Sequence, residues 1–155
     1  MDGPPPKRNA LEASGHVATA YPEAFARRLA GLRKRAADGE FDVVAFGVRQ
    51  TTLGPGCRAA LRHGQTHRDE FVYVLQGELV LADDDGELTL LKGTCTGLRA
   101  GAKGQHVVNR TGKEAVYLEI GDRLPGEDAG QSEDDLIAEH DGTNWNFRRR
   151  NDDQI

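Results

Sequence analysis

The feature that most constrains this chain is a series of short apolar segments, cut by turn residues at near-regular intervals, between residues 41 and 120. "FDVVAFGVRQTTL" (41–53) is rich in Val and Phe and stops at Gly54-Pro55-Gly56. "FVYVLQ" (71–76) runs straight into Gly77, and "ELVLA" (78–82) and "ELTLL" (87–91) flank the turn "DDDG". A further turn stands at Lys92-Gly93, a loop at "RAGAKG", and "QHVVN" and "AVYLEI" flank "RTGKE". Residues of this kind suit a pleated, half-buried surface, and Gly and Asp supply the turn conformations. Short strands so spaced build an all-β sandwich or barrel. Helix-sized segments do not alternate with them, which excludes a parallel sheet.

The ends read differently. Residues up to Ala20 are rich in Pro, Gly and Ala and are expected to be poorly ordered. "YPEAFARRLAGLRKRAADGE" reads as a short amphipathic helix, with Pro22 at its first turn, Phe25, Leu29 and Leu32 on one face, and Asp38-Gly39 ending it. Gly31 weakens that reading. After Ile120 the acidic stretch "GDRLPGEDAGQSEDD" is expected to cross the surface as a solvated excursion, and "NWNF" to add one edge strand through Trp145 and Phe147. The domain reading is therefore an N-terminal extension over 1–40, a barrel over 41–122, and a C-terminal excursion with an edge segment over 123–155.

With 155 residues the chain is long enough for one domain with a real core. Its formal charge of −5 argues against nucleic acid as a main partner. The basic runs Arg33-Lys34-Arg35 and Arg148-Arg149-Arg150 read as solvated patches. No apolar run reaches membrane-spanning length, and "MDGPPPKRNA" lacks the apolar core of a secretory signal. Cys57 and Cys95 are too few for a disulfide framework, so reduced thiols and a cytoplasmic location are expected.

Two glycine-framed segments concentrate the chemistry. The first holds Gly56, His63, Gln65, Glu70 and Gly77; the second holds Gly93, Gly101, Gly104, Gln105 and Asn109. In "RDEFVYVLQGELVL", "KGTCTGLRAG" and "GQHVVNRTGKEAVYLEIGDRLPG" the sequence resembles the cupin superfamily, in particular its small single-domain members, over about residues 43 to 126. The resemblance implies a double-stranded β-helix, the jelly-roll barrel, with a site inside its mouth. In metal-binding cupins two histidines and a glutamate of the first motif and one histidine of the second hold the ion. Carried over, those positions are His63, Gln65, Glu70 and Gln105, so two of the four depart from histidine, both to glutamine.

A neutral amide oxygen is a harder and weaker donor than imidazole. The set can hold a divalent ion such as Zn, Mn, Ni or Fe less tightly than the family's usual ligands, and the balance leans to a metal-free pocket. There Gln65 and Gln105 hydrogen-bond His63 and Glu70, as buried polar groups require. His67 shares strand parity with residues 63 and 65 and reaches the mouth only if the chain stays extended. His106 alternates with Gln105 and is expected on the opposite face. His16 and His140 lie in the loose ends. Gly64 departs from an aromatic common in related sequences, and Cys95 matches a small-residue core position.

The expected function is a cupin binding a small polar molecule, a sugar derivative or carboxylic acid, with His63 and Glu70 as the candidate acid–base pair. The alternative is a divalent-metal-dependent isomerase, lyase or dioxygenase on such a substrate. Phe71, Tyr73 and Leu75 alternate with Glu70, Val72 and Val74, so both faces of that strand need cover, and a homodimer is expected.

Overall fold

The computed structural model describes residues 7, 9, 31–37, 41, 43–59, 63–65, 69–101, 104–122, 128–131, 136–140 and 145–149. Every regular element among them is a strand: β1 (Leu32–Ala36), β2 (Phe46–Leu53), β3 (His63–Gln65), β4 (Glu70–Gln76), β5 (Glu78–Ala82), β6 (Glu87–Leu91), β7 (Cys95–Leu98), β8 (His106–Val108), β9 (Ala115–Asp122), β10 (Asp128–Gln131), β11 (Leu136–His140) and β12 (Trp145–Arg149). They form a five-stranded sheet, β1-β2-β9-β4-β7, a four-stranded sheet, β12-β11-β10-β3, and a three-stranded sheet, β6-β5-β8. The pairings are antiparallel, as the absence of crossover helices in the sequence requires.

One core joins the five- and three-stranded sheets. Leu32, Leu53, Val72, Val74, Ala115 and Tyr117 come from the first, and Leu79, Leu81, Leu90 and Val107 from the second. Gly77 is the corner between them, where the chain leaves β4 and enters β5. Its φ of 78° is a left-handed conformation, and a Cβ there would stand 2.9 Å from the Glu114 carbonyl oxygen and 3.0 Å from Ala115 Cα. Only glycine meets both demands without strain. The β5–β6 turn is closed by Asp83, whose Oδ1 accepts the backbone N–H of Asp85 and of Gly86, each at 2.9 Å. This is the local capping that makes Asp a turn former.

Several expectations require correction. The segment read as a helix is a strand over Leu32–Ala36, paired along its length with β2; its earlier part, 21–30, lies outside the described residues. Its residues are good helix formers, but strand pairing buries Leu32 to 4% exposure beside Leu53, and Gly31 enters with φ of 89°, outside the helical region. Tertiary pairing outweighs the weak helical propensity. The basic run 33–35 is not a uniformly solvated patch, since Lys34 is half-buried in an ion pair with Glu119. The acidic stretch after Ile120 is not only a loose excursion: β9 runs on to Asp122, and β10 and β11 follow. β12 lies at the edge of its sheet, where "NWNF" was read as an edge strand. Cys95 is exposed, not core, because its β7 register sets it opposite Tyr73, on the outward face of β4.

Candidate functional site

Directly opposed residues in an antiparallel pair share a face, so the register reads out the inner wall of the five-stranded sheet row by row. The deepest row is Leu32, Leu53 and Ala115, all buried hydrocarbon. The next is Lys34, Thr51, Tyr117 and Val74. Above it stand Arg49, Glu119, Val72 and Thr96. The outermost row contains Glu70 and Leu98, with Gly47 and Gly121 contributing no side chain. The wall therefore grades from apolar to charged, and the two glycines leave room beside Glu70.

The polar rows are bonded to one another. Tyr117, fully buried, donates its hydroxyl proton to Glu119 Oε1 at 2.9 Å. Lys34 Nζ donates to Glu119 Oε2 at 3.0 Å and lies 3.2 Å from Oε1. Lys34 and Glu119 come from β1 and β9, the two neighbours of β2, and stand opposite Thr51 and Arg49 respectively, so their bond crosses β2 between those two residues. Burial on its own would raise the Glu119 carboxyl, but the Lys34 charge and bond, the Tyr117 bond and the Arg49 charge outweigh it and hold the group below its ordinary value. Burial, then the Glu119 charge and bond, keep the Tyr117 hydroxyl well above its ordinary value; the Thr51 hydroxyl pulls the other way, and Glu70 adds a further upward push. Glu119 is thus an anion and Tyr117 a neutral donor at pH 7. Thr51 Oγ1 is buried and completes no hydrogen bond of its own among the described residues.

The four positions carried over as metal ligands are distributed across three sheets. Glu70 is half-buried on the inner face of β4. Gln105 is half-buried just before β8. His63 and Gln65 belong to β3, in register with Gln131 and Ala129 of β10; His67 and His16 lie outside the described residues. His106, opposite Ala82, alternates with the core residue Val107. Among the described residues no three His, Cys, Asp or Glu side chains group to hold a metal ion. Glu70 and Gln105, one anion and one amide, do not by themselves fit a tightly held transition ion.

Asn109, grouped by sequence with the chemical residues, is a structural tie. Its fully buried amide Nδ2 donates to the carbonyls of Leu53, Gly54 and Lys113, and its Oδ1 accepts from the backbone N–H and hydroxyl of Thr111. Conversely, Lys34, Arg49, Thr51, Tyr117 and Glu119 were not singled out. The signal was present for four of them: period-two alternation in "VRQTTL" and "AVYLEIG" sets Arg49 and Thr51 with Leu53, and Tyr117 and Glu119 with Ala115. Polar residues on an otherwise apolar face are the informative departure. Lys34 was hidden by the helix reading.

An antiparallel barrel wall whose outer rows are polar describes a jelly roll, and comparison with known proteins agrees. Residues 38–121 match the family model described as the cupin domain. The chain belongs to the cupin superfamily. It is similar to a crystal structure described as a sugar phosphate isomerase from a cupin superfamily, from Silicibacter pomeroyi DSS-3, with 32% identity, a TM-score of 0.90, and 97% of this chain and 96% of that chain covered. Two further structures share the fold. The polyketide cyclase RemF from Streptomyces resistomycificus has 15% identity and a TM-score of 0.68, covering 83% of this chain and 88% of that one. A Cupin 2 conserved barrel domain protein from Salinispora arenicola CNS-205 has 22% identity and a TM-score of 0.52, covering 60% and 77%. No functionally curated protein matches the chain. Among the described residues no helix is long and apolar enough to cross a membrane.

Proposed function

We propose that the barrel mouth binds a small phosphorylated sugar and isomerises it. The observation that carries this reading is the graded inner wall: hydrocarbon at Leu32, Leu53 and Ala115 gives way to Lys34, Thr51, Tyr117, Arg49, Glu119 and Glu70 on one face. Such a wall suits a ligand that is polar throughout. The substrate class comes from the Silicibacter relative, similar along nearly its whole length. Arg49 is exposed, on the inner face, and its guanidinium, whose charge acts on Glu119, makes no hydrogen bond among the described residues; its planar fork suits the phosphate.

Isomerisation of an aldose or ketose phosphate is redox-neutral and needs a base and a proton donor. A carboxylate removes the proton from the carbon bearing the hydroxyl while the neighbouring carbonyl oxygen gains one, giving an enediol. Return of a proton to the other carbon, with loss of the proton from the original hydroxyl oxygen, completes the exchange. Glu70 on the inner wall is the proposed base and His63 its partner in moving the oxygen-bound proton. The test is proton NMR of the purified protein with pentose and hexose phosphates: new isomer resonances and loss of the exchanging carbon-bound proton in D2O support the reading, and Glu70→Gln should abolish both. Absence of conversion and exchange for every sugar phosphate sinks it.

A second reading is favoured by Gln65 and Gln105, which stand where metal-binding cupins carry histidine. A barrel that has exchanged imidazole for amide at two positions can keep a ligand pocket without turnover. Sugar-phosphate binding with no conversion under the same conditions would establish it.

A further inference from the structure

The residues that match the cupin domain begin at 38, yet the inner wall includes a cation from before that point. Lys34, on β1, projects from the face of Leu32 and reaches Glu119 across β2. A tie between strands would explain the ion pair, but it leaves the donors and acceptors unevenly used. The Lys34 ammonium has three N–H donors, and both of its bonds go to one carboxylate. Among the described residues Glu119 Oε1 accepts from Lys34 and Tyr117, whereas Oε2 accepts from Lys34 alone. Thr51 Oγ1, level with Lys34 and Tyr117 on the strand between them, is buried at 0% exposure; it acts on the Tyr117 hydroxyl but completes no well-formed hydrogen bond among the described residues. A buried hydroxyl left in this state costs free energy that a valine of the same shape would avoid.

From this unused capacity we infer that Lys34, Thr51 and Glu119 form a recognition element for two adjacent oxygens of the ligand, the carbonyl and hydroxyl of a sugar. The inference rests on the sugar-phosphate reading and deepens it. The remaining Lys34 proton is donated to the carbonyl oxygen, and Glu119 Oε2 accepts from the neighbouring hydroxyl. The Thr51 hydroxyl, able to donate and accept, completes the floor beneath them. Tyr117 is a positioning residue, since its proton is committed to Glu119. Lys34 is 32% and Glu119 15% exposed at the side chain, so neither is sealed off from a ligand. The phosphate is held by the exposed Arg49, which stands opposite Glu119 in the same row.

Calorimetric titration of the full chain with ribose 5-phosphate, glucose 6-phosphate and fructose 6-phosphate, and separately with inorganic phosphate, tests this. Two variants are used: Thr51→Val, and the neutral double variant Lys34→Met, Glu119→Gln, which removes the ion pair without stranding either charge. The inference expects each to weaken sugar-phosphate binding by about tenfold or more, the loss of about one well-made hydrogen bond, with inorganic phosphate unaffected. Thermal melting of Thr51→Val should be unchanged or raised. If wild type binds a sugar phosphate and both variants bind it within about threefold of wild type, the element is structural and the inference falls while the functional reading stands. If wild type binds none of the sugars, the functional reading fails and the inference with it.

Discussion

Replacing Asn109 by alanine should destabilise the fold by about 3 kcal/mol, and the figure follows from where each of its bonds would go. Of the three carbonyls it serves, Gly54 O keeps the Cys57 N–H at 3.1 Å and Lys113 O keeps the Thr111 hydroxyl at 3.1 Å. The loss therefore concentrates on the buried bond to Leu53 O, 3.0 Å long, and on the Thr111 N–H, 2.9 Å from Oδ1. An abandoned buried group costs about 1–3 kcal/mol, and water offsets part of the half-buried Thr111 loss. In a chain of this size 3 kcal/mol corresponds to a melting temperature lower by about 6–12 °C. Urea denaturation and thermal melting at pH 7 measure it. Asn109→Asp supplies the control of cause: a carboxylate facing carbonyl oxygens has its native pKa raised above the unfolded value of about 3.9. That variant is therefore least impaired below about pH 4 and loses stability as pH rises through the native value. An alanine variant within about 1 kcal/mol of wild type, or an aspartate variant whose deficit ignores pH, would refute the reasoning.

Glu119, held below its ordinary pKa by Lys34, Tyr117 and Arg49 against burial, favours the native state above the unfolded carboxyl value of about 4.3. That contribution is lost as pH falls through the depressed native value, so the stability curves of wild type and Glu119→Gln should converge on acidification; parallel curves would contradict it. The outward residues of β4, Phe71, Tyr73 and Leu75, are 42%, 38% and 37% exposed, next to Leu118 and Ile120 of β9, and we propose that they form a homodimer face. Light scattering at micromolar concentration should find a dimer that Phe71→Glu disrupts, and a monomeric wild type counts against it. If Gln65 and Gln105 hold ligand positions, Gln65→His with Gln105→His should bind Zn or Ni clearly more tightly than the parent, with His67→Ala and His106→Ala nearly without effect. No gain in the double variant, with binding abolished by those alanines, would relocate the site.

How legible the molecule was depended on range. The strands around Gly77, the Asp83 turn and the Lys92-Gly93 turn were readable because period-two alternation and turn chemistry are local properties. β1 was not, because a run such as "LRKRA" favours a helix until the edge of β2 offers a partner, and that pairing is set by residues 13 to 21 positions away in the sequence. β10 and β11 were masked by acidic composition for the same reason: sheet neighbours, not intrinsic hydrophobicity, recruit them. The outward side of Cys95 depended on a register with Tyr73 that no single strand reveals. The inward placing of Glu70 on β4 follows from local alternation with Phe71 and Val72. The Lys34–Glu119–Tyr117 group crosses strands distant in sequence and has no linear signature, so only the assembled wall displays it.

The most direct test of the account is a crystal structure of the protein with a sugar phosphate that it binds. The account predicts the phosphate at Arg49 and two adjacent sugar oxygens within hydrogen-bond distance of Lys34 Nζ, Glu119 Oε2 and Thr51 Oγ1, with Glu70 facing a carbon-bound hydrogen. A sugar phosphate seated outside the barrel, or inside it with a water filling the space between Thr51 and the Lys34–Glu119 pair, would contradict it.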